Sequence, residues 1–579
     1  MWTLCVLFTL LLCHVTSPAP VIPAPWGSIQ GIDMEGRGGR KLSGYLGIPY
    51  ARPPTGELRW QKPHPHPGLG EGKVFVADTV APACPQTQSQ GIDNNSMSVG
   101  VYLVCYMGRV MQTQSQGIDN NSMSVGVYLV CYMGRVMQTQ PFKLVADGDV
   151  IVVAIQYRLG TLGFLSTGDD TLPGNLGLWD QNLALRWVKD NIRAFGGDPE
   201  VVTLFGESAG SWTTGLQIVS PYSKGLFHRA ILQSGSPQTS ISYSTPAHVA
   251  FKELSRVLDC EAETDKKAVD CLMTRSADDI VNKTNEWMAS SGFTNSIGAR
   301  VDGDFIPRDP VELTGDEQYV QEVGMGDIDV IIGFNNKEGA MITIASELEG
   351  SPMEGFSDAM MFTNILENAV KQYNNGQTST LLNAVVDFFY RGADAGSNNS
   401  VPLDALVNLF GDTMFYAHTV EWLRPLAAQP HKGSRYLYMM EHDFHFNKNR
   451  VRGSHHGDEL CLEFDLVFPA DSLFIKLNKT LSHCSEEDEK MSDLFVKIWT
   501  DFAKTGNPNA PLQTALGGDW PEFTSENEAY LSLSLTPQVG RDVMRDRMAL
   551  WLQLVPQIVS ITQRQEEQPA PADSAKDEL

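Results

Sequence analysis

The apolar positions of the chain fall into two patterns that take turns. Asp149–Leu159 (DVIVVAIQYRL) is a nearly unbroken run of apolar, mostly β-branched residues, which predicts a strand buried on both faces. Val201–Phe205, Arg229–Gln233, Asp329–Ile332 and Arg435–Met440 have the same character. Between the first two, Gln181–Ile192 sets Leu183, Trp187, Val188 and Ile192 on one helical face and stops at Gly196-Gly197. Strands separated by helical stretches predict an α/β fold, a large mixed central sheet with helices on both faces. Residues 26–60 differ. Gly and Pro punctuate short apolar pieces there, and a small antiparallel sheet is expected near the N-terminus. No linker-like stretch interrupts the middle, so one large domain is expected over residues 21–559. Residues 560–579, polar and Pro-containing, are expected as a solvated tail.

The two ends carry addresses. MWTLCVLFTLLLCHVTS has an apolar run from Leu4 to Cys13 followed by small and polar residues, which reads as a signal peptide over residues 1–17. The chain stops at Lys576-Asp577-Glu578-Leu579, a tetrapeptide read by the KDEL retrieval receptor. Together they predict a protein of the endoplasmic reticulum lumen. No other stretch approaches the roughly 18 apolar residues of a spanning helix, so no membrane span is expected. With 69 acidic against 43 basic side chains and a net charge of −26, the overall field repels phosphate backbones, and nucleic acid is not an expected partner.

The cysteines suit an oxidising compartment. Cys5 and Cys13 leave with the signal peptide. Cys84, Cys105, Cys131, Cys260, Cys271, Cys461 and Cys484 remain, an odd set, so at least one is expected unbridged. Cys260 and Cys271 bracket EAETDKKAVD, a charged segment that a disulfide could close into a surface loop. No CxxC pair occurs, and no metal site is expected. Glycosylation sequons stand at Asn94, Asn120, Asn282, Asn398 and Asn478.

Residues 86–111 (QTQSQGIDNNSMSVGVYLVCYMGRVM) recur at 112–137 without a single change, and Gln138-Thr139-Gln140 begins a third copy. Solenoid repeats drift and need about three units to bury a core. Two identical copies instead mark a recent duplication or an error in assembling the coding sequence. Two identical segments compete for one place in a packed sheet, so one copy is expected to loop out.

The chemistry centres on Gly206-Glu207-Ser208-Ala209-Gly210. A strand-like stretch precedes this GxSxG and a helix-compatible one, SWTTGLQIV, follows. That is the strand–elbow–helix that holds a serine hydroxyl up on a strained turn. A serine needs a base, and the base an orienting acid, which in this architecture follow in the order Ser, acid, His. Glu338 lies just past the Asp329–Ile332 strand, beside Gly339. After the Arg435–Met440 strand comes Gly453-Ser454-His455-His456-Gly457. His456 precedes the glycine and is the expected base, with His455 as the competing assignment.

Several of these stretches resemble the type-B carboxylesterase/lipase family. They are SGYLGIPYARPPTGELRW (43–60), the run from Tyr157 to Gly210, GLFHRAILQSG (225–235), VDGDFIPRDPVEL (301–313), NNKEGA (335–340) and HHGDEL (455–460). The resemblance implies an α/β-hydrolase fold. It implies Ser208 as nucleophile, Glu338 as acid, His456 as base and the Ala209 N–H as one oxyanion donor. Cys260 and Cys271 match a family disulfide, and Cys84 the first cysteine of another. The implied activity is hydrolysis of carboxylic esters, small or lipid, through an acyl-enzyme, with no cofactor. One departure stands out. Where the family has a strand ending in a His-Gly-Gly-Gly-like oxyanion loop, this chain has the tandem repeat and no glycine run. A central strand is therefore expected to be missing, and a catalytically impaired, esterase-like binding protein is the alternative reading. An adhesion module is less expected, since such a relative usually lacks the nucleophile.

Overall fold

The structure, a computed structural model, describes residues 18–36, 39–70, 72–79, 106–113, 123–129, 139–290, 296–343, 356–374, 376–396, 401–447, 451–466 and 485–566. The signal peptide, the KDEL terminus, Cys84, Cys105, Cys131 and Cys484, and the sequons at Asn94, Asn120, Asn398 and Asn478 lie outside them. Asn282 is exposed on the helix Ala277–Ser290.

The strands are β1 (Pro18–Ala24), β2 (Gly27–Glu35), β3 (Lys41–Pro49), β4 (Val74–Val76), β5 (Tyr106–Thr113), β6 (Met123–Leu129), β7 (Thr139–Gln140), β8 (Ile151–Ile155), β9 (Gly197–Glu207), β10 (Arg229–Gln233), β11 (Asp329–Asn335), β12 (Arg435–Met440), β13 (Asp465–Leu466), β14 (Ala529–Leu533) and β15 (Gln538–Arg541). One sheet runs in the order β1-β2-β3-β5-β8-β6-β9-β10-β11-β12-β14-β15, with β4 beside β2. From β8 to β14 every neighbour is parallel; β1, β2, β3 and β5 on one side and β15 on the other are the antiparallel flanks, and β4 lies parallel to β2. β7 and β13 form a separate antiparallel pair. This is the α/β-hydrolase fold, and the expected N-terminal antiparallel sheet is the leading end of the same surface.

The unbroken apolar runs are strands because both sheet faces are covered. Ile151, Val153 and Ile155 of β8 enter one core, while Val152 and Ala154 enter the core on the other face. β11 and β12 divide the same way, with Ile332 and Leu437 on one side and Ile331 and Tyr438 on the other. Among the described residues no helix is long and apolar enough to cross a membrane. The helix Val555–Glu566 carries the chain through residues expected to begin the solvated tail; its last turns are partly exposed, so they remain polar without leaving the helix.

The repeat corrects two expectations. The central strand is not missing, and the copies do not compete for one place. The first copy gives its last residues to β5, antiparallel to both β3 and β8. The second gives the MSVGVYL of its middle to β6, parallel between β8 and β9. Alternation explains why the second piece fits: Val125 and Val127 are fully buried in the core, and Ser124 Oγ on the other face donates to the Ala503 carbonyl at 2.8 Å. Gly126 is a close approach, since a Cβ there would lie 3.2 Å from the Phe205 ring.

Candidate active site

β9 ends at Glu207 and the helix Ala209–Val219 begins two residues later, so Ser208 carries the whole reversal. Its backbone sits at φ 57°, ψ −125°, outside the regions L-residues prefer. Two hydrogen bonds hold it: its N–H donates to the Gln233 carbonyl on β10 at 2.8 Å, and its carbonyl accepts from Trp212 N at 3.0 Å. The glycine before the turn is required by contact. A Cβ on Gly206 would lie 2.6 Å from the carbonyl carbon of Gly210. Ala209 opens the helix, and its N–H is one of the first-turn donors a helix leaves without an intrahelical partner.

Glu338 lies just beyond β11 and is fully buried. Its Oε1 accepts from Asn335 N at 2.7 Å, which turns Oε2 toward the histidine loop. Gly339 brings this turn against the backbone of the helix Leu403–Gly411, where a side chain would collide with the Val407 carbonyl.

The loop after β12 is stitched to that turn. Lys337 N donates to the Ser454 carbonyl at 2.9 Å, Ser454 N to Asn336 Oδ1 at 3.0 Å, and Asn335 Nδ2 to the His455 carbonyl at 2.6 Å. The structure brings His456, not His455, to the serine. His456 Nε2 is 2.8 Å from Ser208 Oγ, and Nδ1 is 2.6 Å from Glu338 Oε2. The His455 ring instead meets the Val451 carbonyl through Nε2 at 2.8 Å, and burial lowers its pKa. The Phe415 ring packs at 4.7 Å from the His456 ring and helps fix its plane.

Two further carboxylates face the imidazole, and sequence reasoning missed both. Glu207 Oε1 lies 3.3 Å from His456 Nε2, and Glu459 is buried beneath it, accepting from Asn335 Nδ2 and, at 3.4 Å, from Ser234 Oγ. Burial pushes His456 down, but Glu207, Glu338 and Glu459 outweigh it and leave the imidazole raised to about 9. Burial also raises Glu207 to about 8, against the pull of His456, and Glu459 to about 7, with Glu338 adding to the rise. A signal for Glu207 was present, since the last residue of a strand buried on both faces has no route to solvent.

The remaining predicted positions divide. Cys260 and Cys271 form a disulfide with Cα atoms 5.4 Å apart. Residues 130–138, which follow β6 and would carry the second set of oxyanion donors, lie outside the described residues. Their sequence, Val130-Cys131-Tyr132-Met133-Gly134, holds one glycine where the resemblance leads one to expect a run. Among the described residues no cluster of His, Cys, Asp and Glu could hold a metal ion.

A family model for the carboxylesterase family matches residues 18–551. The chain belongs to the carboxylesterase family. Similar curated proteins include pyrethroid hydrolase Ces2e of Rattus norvegicus, 30% identical over 95% of this chain and 92% of the relative. Liver carboxylesterase 1F of Rattus norvegicus is 28% identical over 93% and 94%. Neuroligin-2 of Mus musculus is 29% identical over 93% of this chain and 68% of its own length. The family thus places hydrolases and a neuroligin at the same distance from this chain, and the site residues have to separate the two.

Proposed function

We propose that the protein hydrolyses carboxylic esters through an acyl-enzyme. Ser208 Oγ attacks the ester carbonyl while His456 Nε2 takes its proton. The Ala209 N–H donates to the oxyanion that forms. Collapse expels the alcohol, which receives its proton from His456, and water repeats the sequence to release the acid. Glu338 holds the ring in the tautomer that leaves Nε2 free and stabilises the imidazolium. The observation that carries the reading is the continuous chain of hydrogen bonds from Ser208 Oγ through both nitrogens of His456 to Glu338 Oε2. Treatment with a fluorophosphonate probe tests it: the wild type should label and Ser208→Ala should not. A wild type that never labels rejects the reading.

A second reading has its own support. A lumenal, esterase-like binding protein with impaired catalysis fits the single glycine after β6 and the similarity to neuroligin-2. Losing one oxyanion donor typically costs about 10²–10³ in rate. Replacing residues 130–138 by a His-Gly-Gly-Gly-containing loop separates the readings. A protein already active gains little, and an impaired one gains about a hundredfold or more.

We further propose residence in the endoplasmic reticulum lumen, with the KDEL receptor as partner. Supporting this are the apolar N-terminal segment, the Lys576–Leu579 tetrapeptide, and a disulfide and sequons suited to that compartment.

A further inference from the structure

Asn335, the last residue of β11, is fully buried and engages almost every polar group it has. Its N–H donates to Glu338 Oε1, and its carbonyl accepts from Tyr416 Oη at 2.8 Å. Its side-chain NH₂ donates to the His455 carbonyl and to Glu459 Oε2. The amide can point only one way, because both groups facing it are acceptors. Tyr416 completes the turn from the other side. Its hydroxyl accepts from Glu338 N at 3.1 Å while donating to the Asn335 carbonyl, so one oxygen caps both ends of the segment that presents Glu338.

Tyr416 is itself fixed on several sides. Its ring packs 4.6 Å from Phe334, and the Arg547 guanidinium lies over it at 5.2 Å, held there by the buried Asp412. Asp412 and Tyr416 are the two ends of a single π-helical turn, a local widening often found at functional sites. Neither Asn335 nor Tyr416 reaches Ser208, and neither offers a group to a substrate.

We propose that Asn335 and Tyr416 are positioning residues for ester hydrolysis, locking the Glu338 turn to the His456 loop so that the acid is held on the imidazole. The proposal rests on the catalytic roles assigned above to Ser208, His456 and Glu338. It predicts a fault of orientation, not of binding. With the tyrosine oxygen removed, the 335–338 turn loses its bracket and Glu338 supports the imidazolium less well. His456 is also faced by Glu207 from β9 and by Glu459 from its own loop, with Asp458 buried nearby in that loop, and Tyr416→Phe leaves these groups unchanged.

The test compares wild type, Tyr416→Phe and Asn335→Leu on p-nitrophenyl butyrate across pH, with rates expressed per fluorophosphonate-titrated site and Tm recorded for each. A wild type that neither labels nor turns over removes the catalytic reading itself, before any variant is compared. With an active wild type, Tyr416→Phe should lower kcat about tenfold, with KM within about twofold, since small misplacements of catalytic groups cost rate. The acid limb of kcat/KM should move to lower pH, because a less supported imidazolium gives up its proton more readily. Asn335→Leu keeps both backbone bonds of the turn but cuts the side-chain bonds to the His455 carbonyl and to Glu459 Oε2, and it should lower kcat in the same direction. A lower Tm alone, with kcat per titrated site and the acid limb unchanged in whichever variant folds, overturns the proposal.

Discussion

His456 Nε2 stands 2.8 Å from Ser208 Oγ and 3.3 Å from Glu207 Oε1, so one ring nitrogen faces both the hydroxyl it would deprotonate and a buried carboxylate one residue earlier. Glu207 raises the imidazole, and a base must be neutral to act. The acid limb of kcat/KM should therefore lie above the usual imidazole range. Glu207→Gln removes a raising charge and keeps the shape. It should move that limb down by about one pH unit, since each unit reflects roughly 1.4 kcal/mol of differential interaction. A pH–rate profile that stays in place would show that Glu207 is already uncharged when the base works.

The two adjacent histidines give a second expectation. His456→Gln removes the proton acceptor and should lower kcat by about 10³ or more, of the order lost when general acid–base catalysis and its partners fail together. His455→Gln affects a ring bonded to the Val451 carbonyl and should leave most of the activity. Steady-state rates of the two purified variants decide it, and the opposite ranking would transfer the role to His455.

Much of this site was legible because strands buried on both faces leave a plain trace and their ends are where loops present side chains. Ser208 and Glu338 sit at such ends, and His456 lies in the long loop that follows β12. Glu459 was not legible, because a loop carboxylate looks like any solvated acid until its burial is known, and Glu207 left only the signal of closing a strand buried on both faces. The Tyr416–Asn335 bond joins residues 81 apart, and no local pattern announces it. The repeat misled for a different reason. Identity of sequence suggests identity of place, yet neighbours in a sheet differ enough that one copy's end and the other's middle find separate positions.

Asp412 has no exposed surface and meets Arg547 in a bidentate pair, with Tyr390 Oη as a further donor. Burial raises the carboxyl, and Arg547 works against that rise. Arg547→Met would leave the acid buried without its cation. A loss of about 3–5 kcal/mol is expected, the scale for breaking a buried pair from one side. Denaturant unfolding measures it, and a loss below about 1 kcal/mol would mean that Tyr390 and a proton on Asp412 suffice.

Removing Lys576–Leu579 should shift the protein from the endoplasmic reticulum into the culture medium, since the retrieval receptor reads the terminal tetrapeptide. Immunoblots of cells and medium check this. Unchanged retention of folded protein would place the retaining feature elsewhere in the chain.

The tandem copies allow the sharpest structural test. Deleting either one gives the same shorter protein, in which MSVGVYL and YMGRVM each occur once, separated by Val-Cys. In the intact chain these pieces run in the opposite order, as β5 and then β6, on either side of β8. β6 ends and β5 begins opposite Ile155, where β8 leaves the sheet. A two-residue link would have to pass straight over that exit, across about two strand spacings of roughly 4.8 Å, where the chain continues into Gln156. Links this short join adjacent antiparallel strands, not strands with a third between them. One of the two places would therefore stay empty, opening the sheet at its centre or beside it. The single-copy protein should be largely insoluble, or fold with a Tm lower by 10 °C or more and no fluorophosphonate labelling, on the order of several kcal/mol for a lost core strand. A single-copy protein with unchanged Tm and labelling would mean that one copy supplies both strands, or that only one is needed.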